Sequence, residues 1–191
     1  MADDMAEKVI DQLSSAIADV EPIVSAVRRE QYVLPTPCAA FDTRTLLGHL
    51  IGGMRGFADV GEGGALSFDL DPDLDREDAL SEYRDAGSRL LAAWRAPGTM
   101  ERTYNMPWGE MQGYQIVGYA FLEVLTHGWD LAKAVALART IDADLAEAAL
   151  ASARMWVDAG ARTPMLFGPE VAAPEDAPAP DRLAAFLGRQ P

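Results

Sequence analysis

Residues 114–138 read YQIVGYAFLEVLTHGWDLAKAVALA, the most apolar segment of the chain. The stretch carries only three charged residues, Glu123, Asp130 and Lys133. A helix apolar almost all round belongs in the middle of a bundle. It is not a bilayer span, because Glu123 breaks the longest charge-free apolar run, Tyr114 to Leu122. Glu123, His127 and Asp130 stand at i, i+4 and i+7, which returns them to within about 40° of one line along the helix. An ionised carboxylate on so apolar a helix is costly unless it is paired or bound to a cation. Two carboxylates bracketing one histidine therefore call for a cationic partner.

Working outward, further helical periods surround this one. Ile10, Leu13, Ile17 and Val20 or Ile23 repeat at helical spacing between Asp4 and Arg28, with Pro22 placed to kink or end the helix. Tyr32 to Cys38 holds two prolines and reads as a loop. A second helix starts near Asp42 or Thr43, either of which can cap it, and fades at Gly61. Asp69 to Asp78 is an acidic connection, and a third helix runs from about Arg76 to Trp94, stopped by Pro97-Gly98. Arg102 to Gly113 is a small hairpin or an ordered loop. A fifth helix spans about Asp144 to Asp158. Val171 to Pro180, rich in Ala and Pro, is an extended arm, and Asp181 to Leu187 forms a last turn of helix. The expected architecture is all-α: a four-helix bundle over residues 1–170 with a short hairpin or helix added, then a C-terminal arm over 171–191.

Composition narrows the partners. With 191 residues, 49% of them apolar, the chain can bury a core without staples. Its single cysteine, Cys38, rules out an internal disulfide and fits a reducing cytoplasm. The N-terminal MADDMAEKVI has neither a basic region nor an apolar run, so it does not read as a signal peptide. A net charge of −14 with no basic stripe opposes nucleic acid and anionic membranes as partners. A homodimer is compatible with the sequence.

Both histidines of the chain fall inside predicted helices. His49 has Gly48, Gly52, Gly53 and Gly56 around it, and each costs a helix interior about 1 kcal/mol against alanine. The missing side chains leave room for a ligand or for close helix packing; the residues alone do not decide between them. His49, Glu123 and His127 would suffice to hold Zn²⁺ with one position open, and the set also suits Ni²⁺ or Fe²⁺. The plain alternative is that Glu123 and His127 are a hydrogen-bonded core pair. Cys38, just before the His49 helix, is either a thiol activated by the helix N-terminus or a small buried hydrophobe. Arg55 is a candidate for an anionic group of a cofactor or substrate, or a surface charge. Trp108 and Tyr104 line the site mouth or cover the bundle.

Three segments carry a resemblance: PTPCAAFDTRTLLGHL (35–50), EVLTHGWDLAKA (123–134), and LFGPEV (166–171) with DAPAPDRLAAFLGRQP (176–191). They resemble small actinobacterial metal-binding proteins of the DinB/YfiT-like superfamily, related to the N-terminal domain of mycothiol-dependent maleylpyruvate isomerases. The resemblance implies a divalent metal on His49, Glu123 and His127, and a catalytic link for Asp130. It implies mycothiol as a co-substrate and a small electrophile as the second one, in a transferase or isomerase reaction. The alternative is a non-catalytic protein in which the ion fastens helices together. A third reading, an interaction module without metal, requires His49 and His127 to lie far apart. The isomerases add a C-terminal domain that brings a catalytic arginine. Here only the short arm occupies that place, so maleylpyruvate itself is not the expected substrate.

Overall fold

The computed structural model describes residues 2–39, 41–67, 78–157, 162, 167–174 and 176–191. It contains α1 (Ala2–Ala26), a single 3-10 turn at Arg29–Gln31, α2 (Thr43–Gly61), α3 (Ala79–Trp94), β1 (Thr103–Met106), β2 (Gly109–Gln112), α4 (Gly113–Ala134), α5 (Ala143–Trp156) and α6 (Ala179–Phe186). Helices α1 to α4 form the expected bundle: α4 packs on α1 and α2, and α3 closes the other side against α2 and α1. The acidic connection expected at Asp69 to Asp78 falls almost wholly outside the described residues.

Helix α1 runs through Pro22 to Ala26 instead of stopping there. Its buried stripe of Ile10, Leu13, Ile17, Val20, Ile23 and Val24 spans the proline, so core packing on both sides outweighs the lost backbone hydrogen bond. Asp42 caps α2 by accepting the Thr45 backbone N–H at 2.8 Å. Thr43 turns its hydroxyl to the Leu34 carbonyl. Arg102 to Gly113 is the hairpin, with Thr103 opposite Gln112 and Met106 opposite Gly109.

Helix α4 ends at Ala134, four residues before the periodicity suggests. Leu137 N–H bonds the Ala132 carbonyl and Ala136 N–H bonds that of Lys133, which is a Schellman termination. Its left-handed residue is Ala136 (φ 53°), where a glycine is usual, so the stop carries no sequence signal. The C-terminal segment does not stand off. Ala179, Pro180, Leu183, Ala184, Ala185 and Phe186 of α6 are buried, and the helix packs on α5 and α4. Arg162 adds a tether by donating to the carbonyls of Gly168 and Phe186.

Candidate metal centre

The long apolar helix and the glycine-rich helix face each other, and their polar residues meet. His49 Nε2 lies 3.1 Å from Glu123 Oε1, and His127 Nε2 lies 3.4 Å from the same oxygen. The two imidazoles are 5.0 Å apart, edge to face. One donor atom from each of His49, Glu123 and His127 falls within 4.8 Å of the others, which fits the chemistry of a three-ligand site for one divalent ion. The separation that an interaction module without metal requires is therefore absent. The side chains of His49 and Glu123 are 15% and 26% exposed, so the cluster can be reached from solvent.

Behind His127 the surroundings change. Its Nδ1 lies 3.0 Å from Asp130 Oδ2, and since a carboxylate only accepts, Nδ1 carries the hydrogen. Asp130 is fully buried. It is held from the far side by Arg189, which donates from Nη2 to Oδ2 at 3.2 Å and from Nε to Oδ1 at 3.4 Å. Arg189 is itself buried and gives a further hydrogen bond to the Leu187 carbonyl.

The charges are coupled accordingly. Burial alone would raise the Glu123 carboxyl, but His127 and then His49 outweigh it and hold the pKa well below the usual carboxylate range. Burial alone would lower His127, but Glu123 and Asp130 outweigh it and push the imidazole up to about 9. The metal-free cluster is thus an imidazolium held between two carboxylates. The same cation requirement could be met by a metal ion, with His127 neutral.

Arg189 is not among the residues that the sequence points to, although it lies in the DAPAPDRLAAFLGRQP segment that carries the resemblance. Helix α6 also ends in a Schellman turn: Arg189 N–H bonds the Ala184 carbonyl, and Gly188 N–H bonds that of Ala185. Gly188 supplies the left-handed residue (φ 91°) and lies so close to Gly168 that a Cβ would sit 2.6 Å from its Cα. The turn directs the next side chain back toward α4. A Leu-Gly-Arg ending a predicted helix was the available signal, but the buried partner lies 59 residues away.

The other candidates divide. Arg55, six residues beyond His49, is turned about 240° around α2 and forms an ion pair with Glu82 of α3 instead of entering the cluster. Tyr104 covers the bundle: it is buried, its hydroxyl donates to the Thr99 carbonyl, and its ring packs on Trp94. Trp108, half-buried at the hairpin turn, packs on Tyr119, one helical turn before Glu123. Cys38 is half-buried and offers its sulfur within 4.8 Å of donor atoms of His127 and Asp130. The next aromatic in its loop, Phe41, lies 4.9 Å from the His49 ring.

Of the two uses of the glycines that the sequence left open, Gly56 shows no room for a ligand: a Cβ there would lie 2.1 Å from the Ser67 carbonyl oxygen. That glycine serves close packing. Two surface cavities among the described residues lie elsewhere: one of about 460 Å³ at Glu7, Asp11 and Leu145, and one of about 190 Å³ at Lys133, Leu137 and Pro178. No described helix is long and apolar enough to cross a membrane.

Comparison with known proteins agrees with this arrangement of helices. Two uncharacterised proteins, from two strains of Mycobacterium tuberculosis, are each 34% identical over 168 residues, covering 87% of this chain and 90% of theirs. The crystal structure of the mycothiol-dependent maleylpyruvate isomerase superposes with a TM-score of 0.63 at 14% identity, over 77% of this chain and 67% of that one. A histidine-to-alanine mutant of that enzyme gives 0.62 over the same shares, again at 14% identity. At this identity the likeness is one of fold. The family description "Mycothiol maleylpyruvate isomerase N-terminal domain" matches residues 13–132, and the chain belongs to that family.

Proposed function

We propose that this protein binds one divalent ion on His49, Glu123 and His127 and uses it with a low-molecular-weight thiol, mycothiol by its family, to act on a small electrophile. The reaction class is thiol transfer or isomerisation through a thiol adduct. The observation that carries the reading is the convergence of two imidazoles and one carboxylate at a corner that solvent can reach. Two nitrogens and one oxygen suit Zn²⁺ with a position left for a small molecule, and Ni²⁺ or Fe²⁺ would accept the same set. When bound, such an ion would lower the pKa of a thiol beside it.

The chain's own residues have separable tasks. Asp130 takes the Nδ1 hydrogen of His127, which fixes the ring and turns Nε2 toward Glu123. Arg189 neutralises Asp130 where no water reaches. The resemblance links Asp130 to catalysis; fully buried, and held by the His127 Nδ1–H and by Arg189, it serves in this reading as a positioning residue for His127. Arg189 of the C-terminal segment thereby reaches the site. Trp108 belongs to the approach to the site through Tyr119; Arg55, engaged by Glu82, is left out of this reading. A reducing, cytoplasmic setting goes with a thiol partner.

The second reading is an ion that clips α2 to α4 without catalysis. The exposure of Glu123 favours the first. Calorimetric titration of mycothiol into the Zn²⁺-loaded protein separates them. Saturable binding that disappears in His49→Ala supports the thiol reading. No heat of binding at millimolar thiol, with the metal confirmed present, leaves the clip.

A further inference from the structure

Helix α4 is buried nearly all round, yet one stripe of it is only half-buried: Gln115, Tyr119 and Glu123, each four residues from the next. Glu123 belongs to the metal cluster. Tyr119 sits one turn before it, about 6 Å along the helix axis. Two tryptophans from separate elements meet Tyr119. Trp108, at the β1–β2 turn, has its ring centroid 5.9 Å away, and Trp156, the last residue of α5, lies 5.6 Å away; both are tilted by 31°. All three rings are half-buried, so each keeps part of its surface open. Trp156 is pressed against Gly118, where a Cβ would come within 2.3 Å of its ring, so the helix is trimmed to admit it. On the other side of the cluster Phe41 packs against His49.

Three half-buried aromatic rings, contributed by a hairpin, a central helix and a helix end, form a row whose middle member lies one helical turn from the half-buried carboxylate of the cluster. Such rings favour offset or tilted stacking with another flat π-system. We propose that the Trp108–Tyr119–Trp156 row is the subsite for a flat, conjugated group on the electrophilic substrate. It would place that group one helical turn from Glu123. This deepens the reading of the site given above and rests on it for the word substrate, but the row can be tested without metal or thiol.

The probe is trans-cinnamamide, which is neutral, flat and conjugated, titrated into the metal-free protein while tryptophan emission is followed. Its saturated counterpart, 3-cyclohexylpropanamide, is the control. Saturable quenching by cinnamamide is expected, with the control at least about threefold weaker, and Tyr119→Leu should weaken cinnamamide by about threefold to tenfold, the range of one aromatic pair. Trp108→Leu, at the hairpin turn, should weaken it similarly; circular dichroism verifies the fold of both variants. Equal binding of the two amides, or unchanged cinnamamide binding in both folded variants, overturns the row as a subsite. If the protein binds cinnamamide through Tyr119 yet takes up no metal, the row stands and the metal–thiol reading falls. If metal and thiol bind but cinnamamide does not, the reverse holds.

Discussion

The two nitrogens of His127 face opposite worlds. On the Nε2 side lie Glu123 and His49, partly exposed and drawn from two helices. On the Nδ1 side lie Asp130 and Arg189, sealed from water, with the arginine delivered by the C-terminal segment. One side has a carboxylate shared between two imidazoles and room for a small ion. The other has its charges already matched within the protein. One ring thus joins a face that can exchange its partners to a face that cannot, and the roles of neighbouring carboxylates follow from burial more than from spacing.

Changes on the two sides should have different signatures. The largest effect is on the exchangeable face. Replacing His127 by alanine removes a proposed ligand, and metal retained after dialysis should fall from about one ion per chain to none; retention near one ion would place the site elsewhere. On the sealed face, Arg189→Met leaves the dry Asp130 carboxylate with the His127 Nδ1–H but without its arginine. Breaking a buried pair in this way costs about 3–5 kcal/mol, read as a lower denaturation midpoint. Asp130→Leu combined with Arg189→Met should recover part of that loss, because the buried carboxylate is gone, while the His127 Nδ1–H loses its acceptor.

Asp130→Asn asks whether one face acts through the other. Loss of a group that orients a ligand typically costs about 10–100-fold in metal affinity, so the variant should still bind Zn²⁺, but more weakly. Unchanged affinity would show that Asp130 serves stability alone. The pH dependence of the metal-free protein sharpens the same contrast. Because the folded-state pKa of His127 is raised to about 9, above the unfolded value near 6.5, its contribution to stability is complete below about pH 6.5 and is lost as pH rises through about 9. Metal-free protein should therefore become easier to denature across that window, and His127→Ala should flatten the trend.

The smallest expected effect compares two helix ends. Helices α4 and α6 close with the same hydrogen-bond pattern, one on Ala136 and the other on Gly188. Ala136 is exposed, and its left-handed backbone costs an L-residue about 1–2 kcal/mol, part of which glycine's extra unfolded-state freedom offsets. Ala136→Gly should then raise stability by about 0.5–1 kcal/mol in denaturant titration.

The legible parts of the molecule were those written in local pattern. The apolar wheel of α4 and the Asp42 cap each declare an element within a few residues, whereas Arg102 to Gly113 stayed open between a hairpin and an ordered loop. The triad was legible because Glu123 and His127 share a helix face and the chain has no third histidine. What was hidden depended on distant partners. Nothing near Pro22 says that packing will carry α1 through it. Nothing near Ala136 marks a stop. The Asp130–Arg189 pair is separated by 59 residues, and the turn at Gly188 that aims the arginine has meaning only once α6 is docked. Arg55 stayed open between an anionic ligand and a surface charge for the same reason, since its partner Glu82 lies on another helix.

The central claim is that His49, Glu123 and His127 together hold one divalent ion, and elemental analysis tests it most directly. Purified wild-type protein, equilibrated with Zn²⁺ and dialysed, should retain about one zinc per chain, and the His49→Ala/His127→Ala double variant, folded by circular dichroism, should retain none. Equal zinc in the two proteins, or none in the wild type after loading, would contradict the account.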